Sequence, residues 1–150
     1  MDEIDITRYI VATFADVETA EAQGYTFFFY GAERKLPFAT LATADNPYDS
    51  ASKLDRPSVF RLNIGVSKDT YGTLLGPRPA RVGAEGVVAT GHDFTILDQL
   101  LPHPVYAPQS WVCVLNPSAA TFEHIVEPLL AEAYAIAVKR QAKVRPSKVA

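Results

Sequence analysis

One histidine of this sequence stands between two prolines, just ahead of an apolar segment. His103 follows Pro102 and precedes Pro104, and the only tryptophan of the chain, Trp111, comes shortly after. Proline restricts the residue before it to an extended backbone, and an imidazole titrates near neutral pH. A histidine held beside an aromatic edge could act as an acid or base, or could contact a ligand. In the alternative interpretation, its ring satisfies a backbone group at a rigid turn.

A polar pair lies on a segment that alternates apolar and polar residues, Val59–Val66. Arg61 and Asn63 are two positions apart, and in a β-strand this spacing points both side chains to the same face. If a ligand covers that face, a guanidinium and a carboxamide can hold a carboxylate, a phosphate or an amide. If protein covers it, Arg61 pairs with an acid of the preceding loop, such as Asp49 or Asp55.

These residues lead to two hypotheses of different classes. In the first, the chain is a cofactor-free binding protein that holds a small organic or peptide-like ligand near Arg61, Asn63, His103, Tyr106 and Trp111. In the second, it is a small enzyme in which His103 transfers a proton while Arg61 or Asn63 polarises the substrate. The hypotheses differ in whether His103 faces an open concavity or is packed closed.

Metal and thiol chemistry find little support in the sequence. Cys113 is the only cysteine, so the chain cannot form an internal disulfide, a cysteine-based zinc site or an iron–sulfur cluster. Its position among valines predicts a buried thiol and not a nucleophile. The spacing of His92, His103 and His124 fits no zinc pattern. We therefore predict neither a metal nor a cofactor.

Charge is distributed unevenly along the chain. Residues 1–138 contain 17 acidic and 9 basic groups, which gives −8, whereas the last twelve residues contain five bases and no acid. Those bases are Lys139, Arg140, Lys143, Arg145 and Lys148. An acidic body repels phosphates, so nucleic acid is an unfavourable partner for it. A basic tail that binds nucleic acid or protein is the alternative to a solvated helix end.

Length and hydropathy predict one domain and a cytoplasmic location. The 150 residues are 48% hydrophobic, which suits one core over residues 1–142, followed by a basic, frayed tail at 143–150. No apolar run approaches the roughly 20 residues that span a bilayer, and the acidic start lacks the basic region of a signal peptide. We expect a monomer or a homodimer that does not associate with membranes.

The pattern of elements predicts an α+β fold. The predicted helices are an amphipathic helix over 3–17, a short helix over Lys68–Leu75 that Ser67 caps, a turn over Asp93–Leu101, and a long helix from Pro117 to Gln141. The predicted strands are an edge strand over Val17–Ala22, a hairpin over Tyr25–Tyr30 and Pro37–Thr43, and two strands over Val59–Val66 and Ser110–Leu115. Asn116 should cap the long helix, and Pro128 should kink or divide it. The glycine-rich loop over 76–92 is a candidate lid. We therefore expect an antiparallel sheet covered by an N-terminal helix and a long kinked C-terminal helix.

Several runs of the sequence carry a resemblance to a known family. They are Thr26–Tyr30, Arg34–Leu41, Asp55–Val66 and Leu101–Pro108 through Trp111. Together they are similar to bacterial domain-of-unknown-function family 6194, across nearly the whole chain. More distantly, a strand that opens on Trp111 and a closing helix that bears Tyr134 resemble the YjbR/MmcQ-like group. That resemblance implies a CyaY-like, two-layer arrangement and transfers no chemistry.

Overall fold

A computed structural model of the chain describes residues 1–32, 34–83 and 86–144. The helices are α1 (Glu3–Thr13), α2 (Lys68–Leu75), the single turn α3 (Ala119–Thr121) and α4 (Glu127–Val144). The strands are β1 (Val17–Ala22), β2 (Tyr25–Tyr30), β3 (Ala39–Ala42), β4 (Arg61–Gly65), β5 (Leu100–Pro102) and β6 (Trp111–Leu115). None of the described helices combines the length and the hydropathy that crossing a membrane requires.

The strands form one six-stranded antiparallel sheet in the order β1-β2-β3-β4-β6-β5. The predicted α+β class, the hairpin and the edge strand over Val17–Ala22 are thereby confirmed. The turn between β1 and β2 holds Gln23 at φ 53° and Gly24 at φ 82°. Two successive positive φ angles are typical of the two-residue turns whose twist matches that of paired strands.

The two faces of the sheet have different coverings. On one face, which we call the helix face, Leu41, Leu62 and Val114 join the main core with residues of α1 and α4. The opposite loop face carries Arg61 and Asn63, and a smaller apolar cluster packs there. That cluster comprises Ala42, Leu54, Leu101, Cys113 and Leu115. The predicted polar pair therefore lies under the long loop between β3 and β4.

Helix α1 is shorter than the sequence predicts. The Asp2 side chain accepts from Asp5 N–H and the Asp5 side chain accepts from Asp2 N–H, a capping box that starts the helix. Ile6 and Ile10 are fully buried against the sheet. The helix ends at Thr13 and not at Val17, because Val17 already pairs with β2 as the first residue of β1.

The interruption expected at Pro128 takes the form of a π-helical turn over Phe122–Val126, from which α4 continues. Proline cannot donate to the carbonyl of His124, and its ring collides with that carbonyl in a regular α-helix. The turn widens instead, and the N–H of Glu127 donates to the carbonyl of Phe122. Helix α4 reaches Val144, and the rest of the predicted basic tail lies outside the described residues.

Two local predictions are wrong. The segment Asp93–Leu101 is not a helical turn, because Leu97 forms a β-bridge with Leu115 and the chain enters β5 at Leu100. Asn116 does not cap the C-terminal helix. Its side chain instead accepts from Phe60 N–H and donates to the carbonyl of Ser58, and Ser118 takes the N-cap position.

Candidate functional site

Arg61 is the centre of a buried polar network on the loop face. Its side chain is fully buried. Nη1 donates to Asp49 Oδ1 at 3.0 Å and to Ser52 Oγ at 2.9 Å, and Nη2 donates to Asp49 Oδ2. Nε donates to Asn63 Oδ1 at 2.6 Å. The guanidinium thus donates four hydrogen bonds to protein groups. The predicted pairing with Asp49 is confirmed.

Asn63 extends the network across the sheet. It is fully buried, and its Nδ2 donates to Thr40 Oγ1 at 2.9 Å on the neighbouring strand. Both the oxygen and the nitrogen of the carboxamide therefore have partners in the protein. Asn63 fixes the orientation of the Arg61 guanidinium, and it presents no free group to a ligand.

Tyr25 connects the network to the start of β2. Its hydroxyl donates to Asp49 Oδ2 at 2.7 Å. Burial and this hydrogen bond raise the pKa of Tyr25. Burial acts against ionisation of Asp49, but the hydrogen bonds and the charge of Arg61 outweigh it and lower the pKa of that carboxyl. The network therefore contains one cation, one anion and a neutral phenol.

His103 is packed closed. It is 2% exposed, and its Nδ1 accepts from the N–H groups of Val105 and Tyr106, both at 3.0 Å. A neutral ring with Nδ1 as acceptor carries its proton on Nε2. That nitrogen lies 3.4 Å from Arg61 Nη2 and 4.0 Å from Asp49 Oδ2. Burial, followed by the charge of Arg61, lowers the pKa of His103 well below its usual range.

This geometry gives His103 the position of a turn-forming histidine, since its ring satisfies two backbone donors of the segment that leads into β6. The ring faces Arg61 and no open concavity. Proton transfer to a substrate would require this segment to move, and a catalytic part for His103 stays a prediction.

Solvent reaches the other two predicted residues. Tyr106 is 53% exposed, and its ring lies 5.0 Å from the ring of His103. Trp111 is half-buried and stands on β6 opposite Gly65. A Cβ atom added to Gly65 would lie 3.0 Å from Trp111 Cε2, so the indole rests directly on the glycine backbone. The structure therefore separates the five predicted residues into a buried trio and an accessible pair.

A groove lies outside the predicted site, between α1 and the β1–β2 hairpin. Its volume is about 870 Å³. Charged and apolar side chains line it together. The lining residues on α1 are Glu3, Ile4, Thr7, Arg8 and Val11. Those on the sheet include Glu21, Tyr25, Thr26 and Leu41, and Thr43 follows β3. Tyr25 is among the residues that line this groove, but its side chain points to the loop face, where it joins the buried network.

Comparison with known proteins places the chain in a family. The model of the Family of unknown function (DUF6194) matches residues 1–146. The chain belongs to this family. No curated protein matches the sequence.

A solved structure shares the fold of this DUF6194 member. It is the crystal structure of a protein from Pseudomonas syringae, determined as a structural genomics target. The two chains are 12% identical, with a TM-score of 0.52, and the alignment covers 91% of this chain and 99% of the other. At this identity the likeness concerns the fold alone.

The sequence-based prediction missed several residues of this DUF6194 protein that matter for the site. Ser52, Thr40 and Tyr25 complete the network around Arg61 and Asn63, but each comes from a different segment and no local pattern marks them. The sequence does carry one signal for the groove. Ile4 and Val11 are apolar, but they lie on a different side of α1 from the buried Ile6 and Ile10. Among the described residues, no three His, Cys, Asp or Glu side chains converge as metal ligands would.

Proposed function

We propose that this protein binds a small organic or peptide-like ligand, without a cofactor, in the groove between α1 and the β1–β2 hairpin. The observation that carries the proposal is the groove itself. Its volume of about 870 Å³ falls within the range of about 300–1,000 Å³ that is usual for small-molecule sites.

The groove offers both kinds of contact that an amphipathic ligand needs. Ile4 and Val11 expose 62% and 48% of their surface, although both are large apolar residues on one helix. A ligand that covers them would remove apolar surface from water. Glu3, Glu21 and Arg8 supply both signs of charge at the same groove, which can orient the polar end of the ligand.

The buried network lies on the loop face, on the other side of the sheet from α1. Asp49 accepts from the hydroxyl of Tyr25 and is itself fixed by Arg61. In this proposal Arg61 and Asn63 stabilise the strands of the sheet and contact no ligand, since neither is reached by solvent. Ligand contacts by Tyr106 and Trp111 stay a prediction.

The family resemblance adds a proposal about the fold. The two helices on one face of the antiparallel sheet are compatible with the YjbR/CyaY-like two-layer arrangement. The ligand groove between the first helix and the first hairpin would then lie at the edge of that two-layer arrangement. An experimental structure superposed on a YjbR-like protein tests this part of the proposal.

A thermal-shift screen of a metabolite library tests the binding proposal. Val11→Lys introduces a charge into the groove at an exposed helical position. Leu74→Lys is the matched control, because Leu74 lies on α2 outside the groove and is 44% exposed. A true ligand at about 100 times its Kd stabilises the native state by about 2.7 kcal/mol.

We expect at least one compound to raise the Tm of the wild type and of Leu74→Lys by several degrees, and to leave Val11→Lys unchanged. A compound that stabilises Val11→Lys as strongly as the wild type would place its site elsewhere. If the library stabilises none of the proteins, the small-molecule proposal is wrong.

A further inference from the structure

The outer edge of β1 presents unpaired backbone groups. β1 is the end strand of the sheet and pairs with β2 alone among the described strands. In an antiparallel pair, alternate residues bond to the partner. Gly31 N–H donates to the carbonyl of Asp16 at 2.8 Å. The backbone N–H and C=O groups of the even-numbered residues of β1 therefore point toward β2. The N–H and C=O groups of Val17, Thr19 and Glu21 consequently point out of the sheet.

This edge is exposed and acidic. Glu18 and Glu21 are both exposed, and they lie on opposite faces of the strand because they are three residues apart. Arg34 donates to Glu18 Oε1 at 3.2 Å, with both side chains about half exposed. Glu18 therefore already accepts a guanidinium at the sheet edge. Glu21 makes no hydrogen bond to another described side chain.

The charges act against pairing with a second copy of the chain. In a two-fold antiparallel pair centred on Thr19, Glu18 of one copy would stand opposite Ala20 of the other and diagonal to the other copy's Glu18 on the same face. Such a pair brings like charges together and supplies no positive charge to the carboxylates of Glu18 and Glu21. The same two carboxylates favour a strand that carries lysine or arginine at the matching positions.

The opposite edge of the sheet is a poorer template. β5 has three residues, Leu100–Pro102, and the last of them has no N–H to donate. β1 offers twice that length and contains no proline. A partner strand would therefore find its hydrogen-bonding positions at β1.

We propose that β1 accepts an extended basic segment of a partner protein as a seventh strand of the sheet. The backbone of that segment pairs with Val17, Thr19 and Glu21, and two basic residues three positions apart contact Glu18 and Glu21 on opposite faces. This surface adjoins the ligand groove at Glu21 and otherwise uses different residues.

A fluorescence anisotropy titration with a defined peptide tests the proposal. The probe is the labelled octapeptide Thr-Val-Lys-Val-Thr-Lys-Val-Thr, whose lysines are three positions apart. The control peptide has glutamate in place of both lysines. Thr19→Pro removes one outward N–H while leaving the β1–β2 ladder intact, and proline is tolerated at such edge positions. Thr19→Val keeps that N–H and is the matched control.

We expect the lysine peptide to bind the wild type and Thr19→Val alike, and to bind Thr19→Pro about tenfold or more weakly. The glutamate peptide and the Glu18→Lys/Glu21→Lys double variant should each lose binding to a similar extent. If Thr19→Pro does not fold, a lysine peptide methylated on its backbone nitrogens takes its place and should bind the wild type weakly. Equal binding by Thr19→Pro and Thr19→Val, or no binding to a folded wild type, overturns the proposal.

The groove and the edge can fail separately. Val11→Lys should abolish stabilisation by a groove compound and leave the lysine peptide bound. Thr19→Pro should do the reverse. A peptide whose binding is lost in Val11→Lys but retained in Thr19→Pro would belong to the groove, which overturns strand addition and leaves the proposed function standing.

Discussion

The guanidinium of Arg61 and the carboxylate of Asp49 meet through two parallel hydrogen bonds in the protein interior, one of them 3.0 Å long. Arg61 comes from β4, and Asp49 comes from the long loop between β3 and β4. Because both groups are at most 7% exposed, this pair holds the loop against the sheet. The other members of the network surround it and fix its geometry.

Breaking this ion pair from one side should be costly. Asp49→Ala leaves the Arg61 guanidinium buried without its counter-charge, and we expect the free energy of unfolding to fall by about 3–5 kcal/mol. Urea denaturation followed by circular dichroism measures the loss. The double variant Arg61→Met/Asp49→Leu removes both charges and should lose less than the single one. A loss below about 1 kcal/mol for Asp49→Ala would be the behaviour of a solvent-exposed pair.

His103 should make the protein less stable in mild acid. Its folded-state pKa lies well below the usual value of about 6.5, chiefly because of burial. The unfolded chain therefore takes up a proton first. Stability is complete above about pH 6.5 and falls as the pH drops from there toward the folded-state pKa. Urea midpoints measured from about pH 8 to about pH 5 should show this decline.

His103→Asn provides the control for that experiment. An asparagine oxygen can accept from the backbone N–H groups that Nδ1 now satisfies, and it does not titrate. The decline should therefore be shallower in the variant.

Asp49 contributes to stability in a separate pH range. Because its folded-state pKa is lowered, the stability that it supplies is lost only at still lower pH, below the ordinary aspartate pKa of about 3.9. Equal slopes for His103→Asn and the wild type would assign the acid sensitivity to other groups.

The contact between Gly65 and Trp111 leaves no space for a side chain. A Cβ atom at position 65 would lie 3.0 Å and 3.1 Å from two carbons of the indole. Gly65→Ala should therefore destabilise the protein by about 1–3 kcal/mol. Trp111→Leu should relieve the clash, so that the double-mutant cycle shows a favourable coupling. Additive effects would mean that the indole can move away freely.

The Cys113 thiol should react only when the protein opens. The residue is fully buried, and burial raises the pKa of the thiol to about 12. Alkylation by iodoacetamide, followed by mass spectrometry, should accordingly be slow in the native state and should accelerate with urea. Asp49→Ala should react faster, because each ~1.4 kcal/mol of lost stability raises the opened population about tenfold. Rapid labelling of the native wild type would contradict the complete burial of Cys113.

The fold could be predicted where the signal is local. Aromatic density marked Tyr25–Tyr30, alternation marked β4, and Ser67 does cap α2, as its side chain accepts from Thr70 N–H. The misplaced start of the C-terminal helix has a local cause as well. Asn116 and Ser118 are both good caps, and only the contacts of Asn116 with distant residues decide between them.

The site was harder to predict because its partners are remote in sequence. Alternation alone places Arg61 and Asn63 on one face, but it does not say whether a ligand or a loop covers them. Asp49 and Asp55 were equally available as partners of Arg61. The choice depends on how the loop folds back, which brings Ser52 and Tyr25 to the same pair. Burial of His103 follows from the same loop and has no sequence signature of its own.

The π-helical turn before Pro128 has a consequence for related sequences of different length. A π-helical turn contains one residue more than a regular α-helical turn. A regular α-helix through the same residues would rotate α4 by about 100° and turn Leu130 and Ala133 away from the sheet. A relative that lacks one residue here, and the proline, can therefore keep the same buried face on an unbroken helix. The turn marks the position where this fold tolerates a change in the length of its longest helix.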